Sequence, residues 1–366
     1  MYIHQLNQWP LFTWDTDEIL SLLATVRFKQ GKLLGFIEHI GFELKAEAVL
    51  QTLTLDVVKS SEIEGEILDI DQVRSSIARR LGLDIDGLVP SNRNVDGVAE
   101  LMLDATQRHD SPLDEQRLFG WHAALFPTGR SSMYKIIVGD WRKNTENDPM
   151  QVVSGAMGRE NVHFQAPDSE QIPIEMARFL RWFNSGVKID PILKAAIAHL
   201  WFVTIHPFEN GNGRISRAIT DMQLARADGS NDRFYSMSAQ IRQEQKQYYS
   251  VLEKTQSDDL NITAWLTWFL ECLGRSIDAT DGILASVMRK AKVWMMPVAQ
   301  KFNDRQRLML NKLLDGFEGK LTSTKWAKVA KCSQDTATRD IQDLILKGIL
   351  IKDGAGGRST NYLLTV

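Results

Sequence analysis

The chain is poor in cysteine: Cys272 and Cys332 are the only two among 366 residues. They lie far apart, so neither a disulfide framework nor a zinc site can be assembled from them, and a reducing cytoplasm is expected. No apolar run approaches the ~20 residues a membrane span requires, and none is expected. The opening residues, Met1 to Leu6, lack the basic-then-apolar build of a secretion leader. There is no internal repeat and no low-complexity tract. Neither sign of charge dominates, the formal net charge being −3. Hydrophobic residues at 43% and charged residues at 24% are ordinary for a soluble globular protein. The length allows two or three domains with substantial cores.

One stretch stands out from this plain background: Ile205-His206-Pro207-Phe208-Glu209-Asn210-Gly211-Asn212-Gly213-Arg214-Ile215-Ser216-Arg217. Before it, Asp190-Pro191 supplies an N-cap and a first-turn proline, and Ile192, Ala195, Ala196, His199, Leu200 and Val203 recur at helical spacing. His206 therefore stands where a buried helix ends. After it, Ile215, Ala218, Ile219 and Met222 mark the inner face of another helix, with Gly211-Asn212-Gly213 as its entry. Free N–H groups at such an entry attract anions. Arg214 and Arg217 are three apart and share the first turn, so both guanidinium forks can reach one polyphosphate. Glycine at 211 and 213 permits close approach of the backbone. The pattern reads as a phosphate site beside a base.

These residues resemble the signature of the Fic family, a helix-loop-helix written HPFx(D/E)GNGRxxR that transfers part of a nucleotide to a protein hydroxyl. His206, Pro207, Phe208, Gly211, Asn212, Gly213, Arg214 and Arg217 each fall on a fixed position. The resemblance implies that His206 is the general base for a Ser, Thr or Tyr hydroxyl of a target protein. It implies that the Gly211 to Gly213 amides and Asn212 hold the α-phosphate of ATP, and that Arg214 and Arg217 bind the β- and γ-phosphates. Positioning and electrostatics then carry the chemistry. Where the family carries an acidic ligand for Mg2+, this chain has Asn210, with Glu209 at the variable position. An amide oxygen ligates magnesium without supplying charge, so weaker metal binding is expected.

A second segment, Lys59-Ser60-Ser61-Glu62-Ile63-Glu64-Gly65-Glu66, matches the (S/T)xxxE(G/N) pattern of the inhibitory helix that accompanies many Fic proteins. Ser60, Glu64 and Gly65 hold its fixed positions. The resemblance implies a salt bridge from Glu64 to Arg217 that denies the γ-phosphate its productive place, since a carboxylate and a phosphate compete for one guanidinium fork. Lying in the same chain, the inhibition would be present by default.

The expected fold is mainly α, in three regions. Residues 1–110 form a helical N-terminal region with Trp9-Pro10 and Trp14 in its opening loop and a break over residues 84–94. Residues 111–285 form the helical Fic core. Within it, Ile136 to Arg142, Gln151 to Ser154 and Asn161 to Phe164 gather β-formers around Gly155 and Gly158 and predict a hairpin. In the family a flap lies here, whose edge would take the extended target segment by strand addition. Tyr248 and Tyr249, with Gln240 and Arg242 before them, are candidates to line the base pocket. Residues 300–366 carry 12 Lys and Arg against 7 Asp and Glu, a net of +5. Three helical patterns and a strand-turn-strand ending resemble a winged helix-turn-helix, with Thr336, Thr338 and Arg339 opening the recognition helix and Arg358 in the wing. DNA binding, protein docking and homodimer formation all suit such a module. The sequence is thus read as an autoinhibited protein adenylyltransferase. Transfer of another phosphate-containing group, removal of AMP with Glu64 placing a water, and a nucleotide-sensing DNA-binding regulator are the alternatives.

Overall fold

The computed structural model describes residues 1–366 except 40, 86, 132, 145–147, 155–160, 315–316, 318, 354–359 and 366. The chain divides into two compact units, Met1–Ile40 with Val49–Leu83 and Val89–Thr280, and Gly41–Ala48 with Asp84–Leu88 and Asp281–Val366.

The first unit is mainly helical. It opens with α1 (Thr16–Ile37), α2 (Phe42–Ile63), α3 (Ile70–Arg80), α4 (Arg93–Gln107) and α5 (Glu115–Leu125). The side chains of Asp15, Asp69, Asn92 and Asp114 cap α1, α3, α4 and α5 by accepting first-turn amides that would otherwise lack partners. Short strands β1 (Arg130–Ser131) and β2 (Tyr134–Lys135) follow, then β3 (Gln151–Ser154) and β4 (Asn161–Gln165). The unit is completed by α6 (Ile172–Asn184), α7 (Pro191–Ile205), α8 (Asn212–Asp228), α9 (Met237–Gln243), α10 (Gln245–Gln256) and α11 (Thr263–Asp278).

Helix α7 is the axis of this unit. Asp190 accepts the Ile192 amide at 2.8 Å, and Pro191 occupies the first turn as the sequence predicts. The periodic residues mark one inner face, yet every residue from Ile192 to Ile205 is buried. The reason is that α6, α8 and α11 all pack on it, and a helix covered on several sides needs no polar face. His199 inside it bonds to the Thr220 hydroxyl of α8 and the Tyr248 hydroxyl of α10, each at 2.9 Å.

The hairpin differs from its sequence pattern. β3 and β4 pair antiparallel, with a register shift between Val152 and Val153. Ile136 to Arg142 is not a strand. Several of its amides are drawn to other partners, Ile136 to the Gly129 carbonyl at 3.1 Å, Ile137 to the Glu209 carboxylate at 2.9 Å, Gly139 to His122 at 3.3 Å and Arg142 to the Pro207 carbonyl at 3.0 Å, in place of a ladder. Gly155 and Gly158 lie outside the described residues.

The second unit contains α12 (Thr280–Trp294), α13 (Asp304–Leu314), α14 (Ser323–Val329), α15 (Gln334–Leu346), β5 (Leu350–Lys352) and β6 (Tyr362–Leu364). β5 pairs antiparallel with β6, and Leu321 bridges Tyr362. Trp326, Met309, Leu310, Ile341 and Leu344 fill its core. Asp340 is buried under Arg305 and Asn303, whose Nε and Nδ2 donate to it at 2.8 and 3.0 Å. Ser333 caps α15, while Thr338 and Arg339 bond back to carbonyls of their own helix. The turn carrying Gly354 to Gly357 and Arg358 lies outside the described residues. Both cysteines are free, and burial pushes the Cys272 thiol well up. No helix among the described residues is long and apolar enough to cross a membrane.

Candidate active site

Helix α7 stops because His206 takes a left-handed conformation, φ 52 and ψ 56. That conformation costs a non-glycine residue roughly 1–2 kcal/mol, so neighbouring contacts must hold it. The half-buried imidazole places Nδ1 3.2 Å from the Val203 carbonyl. A carbonyl only accepts, so Nδ1 carries the proton and Nε2 keeps its lone pair. Burial lowers the pKa of His206 to about 4. The Arg142 charge adds to that lowering, while the Val203 carbonyl and Glu64 act against it. At neutral pH the ring is uncharged and able to take a proton.

The loop after His206 is fixed by its own side chains and by α5. Asn212 accepts the Phe208 amide at 2.9 Å and donates to the Phe208 carbonyl at 2.7 Å, so its amide closes the loop and is not turned outward. The expected contact of the Asn212 side chain with an α-phosphate is therefore not available in this arrangement, while the first-turn amides of α8 have no partner within the helix. Gly211 has φ 84, and a Cβ there would come within 2.9 Å of the Phe126 ring. His122 of α5 is fully buried and stacks on Phe208 with centroids 4.2 Å apart. Its Nδ1 accepts the Gly139 amide at 3.3 Å, which leaves Nε2–H to donate to the Asn210 carbonyl at 3.1 Å. Burial first, with Arg214 adding, lowers its pKa to about 4, against the Asn210 hydrogen bond.

Both arginines of the signature are buried, and both meet carboxylates. Arg217 Nη2 donates to Glu64 Oε1 at 2.9 Å and to the Ser60 carbonyl at 2.8 Å, and its Nε donates to the Ser60 hydroxyl at 2.9 Å. Burial works against the Arg217 charge, but Glu64, together with Tyr248 and Tyr249, acts the other way and the pKa is raised. Arg214 Nη1 donates to Glu66 Oε2 at 2.6 Å and its guanidinium lies 5.1 Å from the centre of the Phe126 ring. Glu66 reaches Arg214 because α2 ends in a Schellman turn: Gly65, at φ 79, donates to the Glu62 carbonyl, and the Glu66 amide donates to Ser61. Gly213 makes room for this. A Cβ on Gly213 would stand 2.1 Å from Glu64 Oε1.

The contacts between α2 and α8 form an antiparallel register with a step of one helical turn. Glu64 meets Gly213 and Arg217, Ser60 meets Arg217, and Asp56 meets Asp221. Asp56 is itself buried on the Ser238 hydroxyl at 3.1 Å. Burial, and then Asp56, hold the Asp221 carboxyl well above the usual range despite Arg233. At the other end, Gln245 of α10 donates to the Ile63 carbonyl at 3.0 Å, and the Tyr249 hydroxyl stands 3.5 Å from it. Tyr249 is part-exposed beside the carboxylates. Tyr248 is a core residue, 2% exposed, with its hydroxyl on His199, so only Tyr249 of the pair is presented where a base could meet it. Arg242 faces Glu62 at 3.5 Å, and Gln240 bonds to Glu244.

The site fits a polyphosphate. Among the buried side-chain atoms, Arg214 Nε and Arg217 Nη1 have no hydrogen-bond partner, and both belong to the forks that carboxylates already occupy. It does not fit a magnesium ion in the same way. Asn210 spends its amide oxygen on the Gly211 amide at 2.6 Å and its Nδ2 on the Ser131 hydroxyl at 2.8 Å. Glu209 is turned to Ile137, and no group of three or more His, Cys, Asp or Glu among the described residues could hold a metal. Arg142, His122 and Glu66 had no signal in the sequence beyond their type, because their partners lie 64 to 148 residues away.

Residues 112–224 match the Fic/DOC family, and residues 2–83 match a domain of unknown function, DUF4172. A protein named protein adenylyltransferase Fic from Drosophila mojavensis is 27% identical over 240 residues, 64% of this chain and 41% of that protein. Its namesake from Drosophila melanogaster is 32% identical over 114 residues, 31% of this chain and 22% of that one. The chain thus spans less than half the length of these curated relatives. A crystal structure of a Fic family protein from Desulfovibrio desulfuricans G20 shares the fold, with a TM-score of 0.53 at 20% identity, covering 96% of this chain and 97% of that one.

Proposed function

We propose that this chain, whose residues 112–224 are a Fic/DOC domain, is a protein adenylyltransferase held off by its own α2. It transfers AMP from ATP to a Ser, Thr or Tyr hydroxyl of a target protein, itself included. One observation carries the reading: two buried arginines, on the helix that follows the His206 loop, hold Glu64 and Glu66 in the forks where phosphates would bind. His206 Nε2 takes the hydroxyl proton, the oxygen attacks the α-phosphorus, and the bond from that phosphorus to its bridging oxygen breaks as pyrophosphate leaves. Arg214 and Arg217 neutralise the departing charge. The name borne by the curated relatives supports the same chemistry. Incubating the purified chain and its Glu64→Gly variant with each α-labelled nucleotide tests it. Self-labelling from ATP is expected in the variant, and no label from any nucleotide in either form would sink the reading.

Glu66 forms the second half of the restraint. Glu66→Ala frees Arg214 while Arg217 stays bound to Glu64, so a several-fold rise in self-labelling is expected, smaller than that from opening Arg217. Initial rates in the parent and in the Glu64→Gly background decide the matter. If Glu66→Ala changes neither, the Glu66–Arg214 pair is ornamental.

Magnesium enters this reading as the companion of the triphosphate, and no step is assigned to it. A carboxylate at position 210 would add charge beside the phosphates. Asn210→Asp is therefore expected to move the magnesium dependence of transfer to lower concentration, and an unmoved titration would take position 210 out of the site. The target is expected to add a strand to the β3–β4 edge, where Val153 and Val162 are exposed. In the second unit, Thr338 and Arg339 turn back on their own helix and favour no partner class.

A further inference from the structure

We propose that Arg142 is the positioning residue of the base, fixing the left-handed His206 carbonyl with one edge of its guanidinium and the foot of the β3–β4 hairpin with the other. The inference rests on the transferase reading of the site. His206 and Lys331 are the only described non-glycine residues with positive φ, and His206 alone of the two lies in the signature. Arg142 Nε donates to the His206 carbonyl at 2.7 Å, and the Arg142 amide donates to the next carbonyl, that of Pro207, at 3.0 Å. The same guanidinium donates through Nη2 to the Pro167 carbonyl, just past the end of β4, and through Nη1 to Asn144. Asn144 is tied in turn to the Ser169 hydroxyl at 2.7 Å. One side chain thus joins the backbone of the base to both chain ends of the hairpin that the target is expected to meet.

Arg142 is 1% exposed, and among the described residues the hydrogen-bond partners of its guanidinium are carbonyl and amide oxygens, none of them a carboxylate. Burial pushes its own pKa down to about 10, with Asp168 acting against that. Such a charge is costly to bury, but no neutral side chain offers donors to all three of these acceptors. The cation also sets its field on the imidazole beside it. The charged groups that act on His206 are Arg142, from the segment before β3, and Glu64, from α2, and they act in opposite directions. Arg142 therefore fixes the ring's geometry and disfavours its charged form. Neighbouring contacts steady this segment against the loop: Glu209 holds the Ile137 amide and His122 holds that of Gly139.

The test compares Arg142→Gln and Arg142→Lys in the Glu64→Gly background. It measures the self-labelling rate against pH, the ATP dissociation constant, the melting temperature, and the His206 imidazole titration by NMR of histidine-labelled protein. In Arg142→Gln the rate is expected to fall on the order of 10²-fold with ATP affinity within about twofold, because displacement of a catalytic group by ~1 Å costs that much. The His206 titration and the acid limb of the rate profile should both move up in pH. Arg142→Lys keeps the charge and loses the fork, so the rate should fall while the titration stays low. Folded Arg142→Gln protein with parental rate and parental His206 titration overturns the proposal. If Arg142→Gln fails to fold, Arg142→Lys decides: a parental rate overturns it, and a reduced rate with an unshifted titration upholds it. Absence of transfer in every form would count against the transferase reading, while the NMR titration still judges Arg142.

Discussion

His206→Ala is expected to lower AMP transfer by about 10² to 10⁴-fold, the usual worth of a general base, while ATP binds almost as before. In the proposed mechanism the imidazole acts on the incoming hydroxyl, whereas Arg214, Arg217 and the first turn of α8 would hold the nucleotide. Single-turnover labelling separates the two, because a lost base slows chemistry at saturating ATP. The neutral ring is the active form, and with its pKa lowered to about 4 the parental rate should stay level from neutrality downward and fall only in acid. Removing Glu64, which raises that pKa, moves the acid limb lower still. An alanine variant that labels itself at the parental rate would show that another group takes the proton.

The second large effect is expected from Glu64→Gly. Glu64 holds Arg217 at 2.9 Å and crowds Gly213, so the γ-phosphate and the carboxylate cannot share that corner. Deleting the carboxylate should raise transfer about ten- to a hundredfold, the shift in a two-state population produced by a differential contact of about 1.4 to 2.7 kcal/mol. ATP affinity should change less than the rate, since what grows is the fraction bound in line with the hydroxyl. Adding Arg217→Ala should cancel the gain, because both changes act through one guanidinium. Rates for the parent, the two single variants and the double variant close the cycle. A rate unchanged or lowered in Glu64→Gly rejects inhibition by this contact. If the same variant also removed AMP from labelled target more slowly, Glu64 would be a catalytic residue of the reverse reaction.

Much of the candidate site was legible in the chain because it is local. A proline and an aspartate start α7, helical spacing carries it to His206, and a three-residue interval puts Arg214 and Arg217 on one turn of α8. Capping and periodicity act over three or four residues, and these are the distances at which a sequence can be read directly. The helices and hairpin strands of the second unit follow from the same short-range rules. The segment Ile136 to Arg142 shows where such rules fail. Its β-formers predict a strand, but the Ile137 and Arg142 amides found partners in the signature loop and that of Gly139 found His122, and β-propensity yields to whichever acceptors the fold brings near.

By itself, then, the sequence determined the order of the elements, a histidine at the end of α7, two arginines on the first turn of α8, and an acidic segment before them. The tertiary structure alone decided that Glu66 takes Arg214, that Arg142 grips the carbonyl of His206, that Asn212 turns inward to Phe208, and that Tyr248 is buried on His199 while Tyr249 is not. Most of these contacts join residues far apart in the chain. Asn212 and Phe208 are four apart, yet spacing alone does not say which way the amide faces. Charge pairing between distant segments has no sequence period, so its partners are chosen only when α2, α8 and the loop before β3 are packed together.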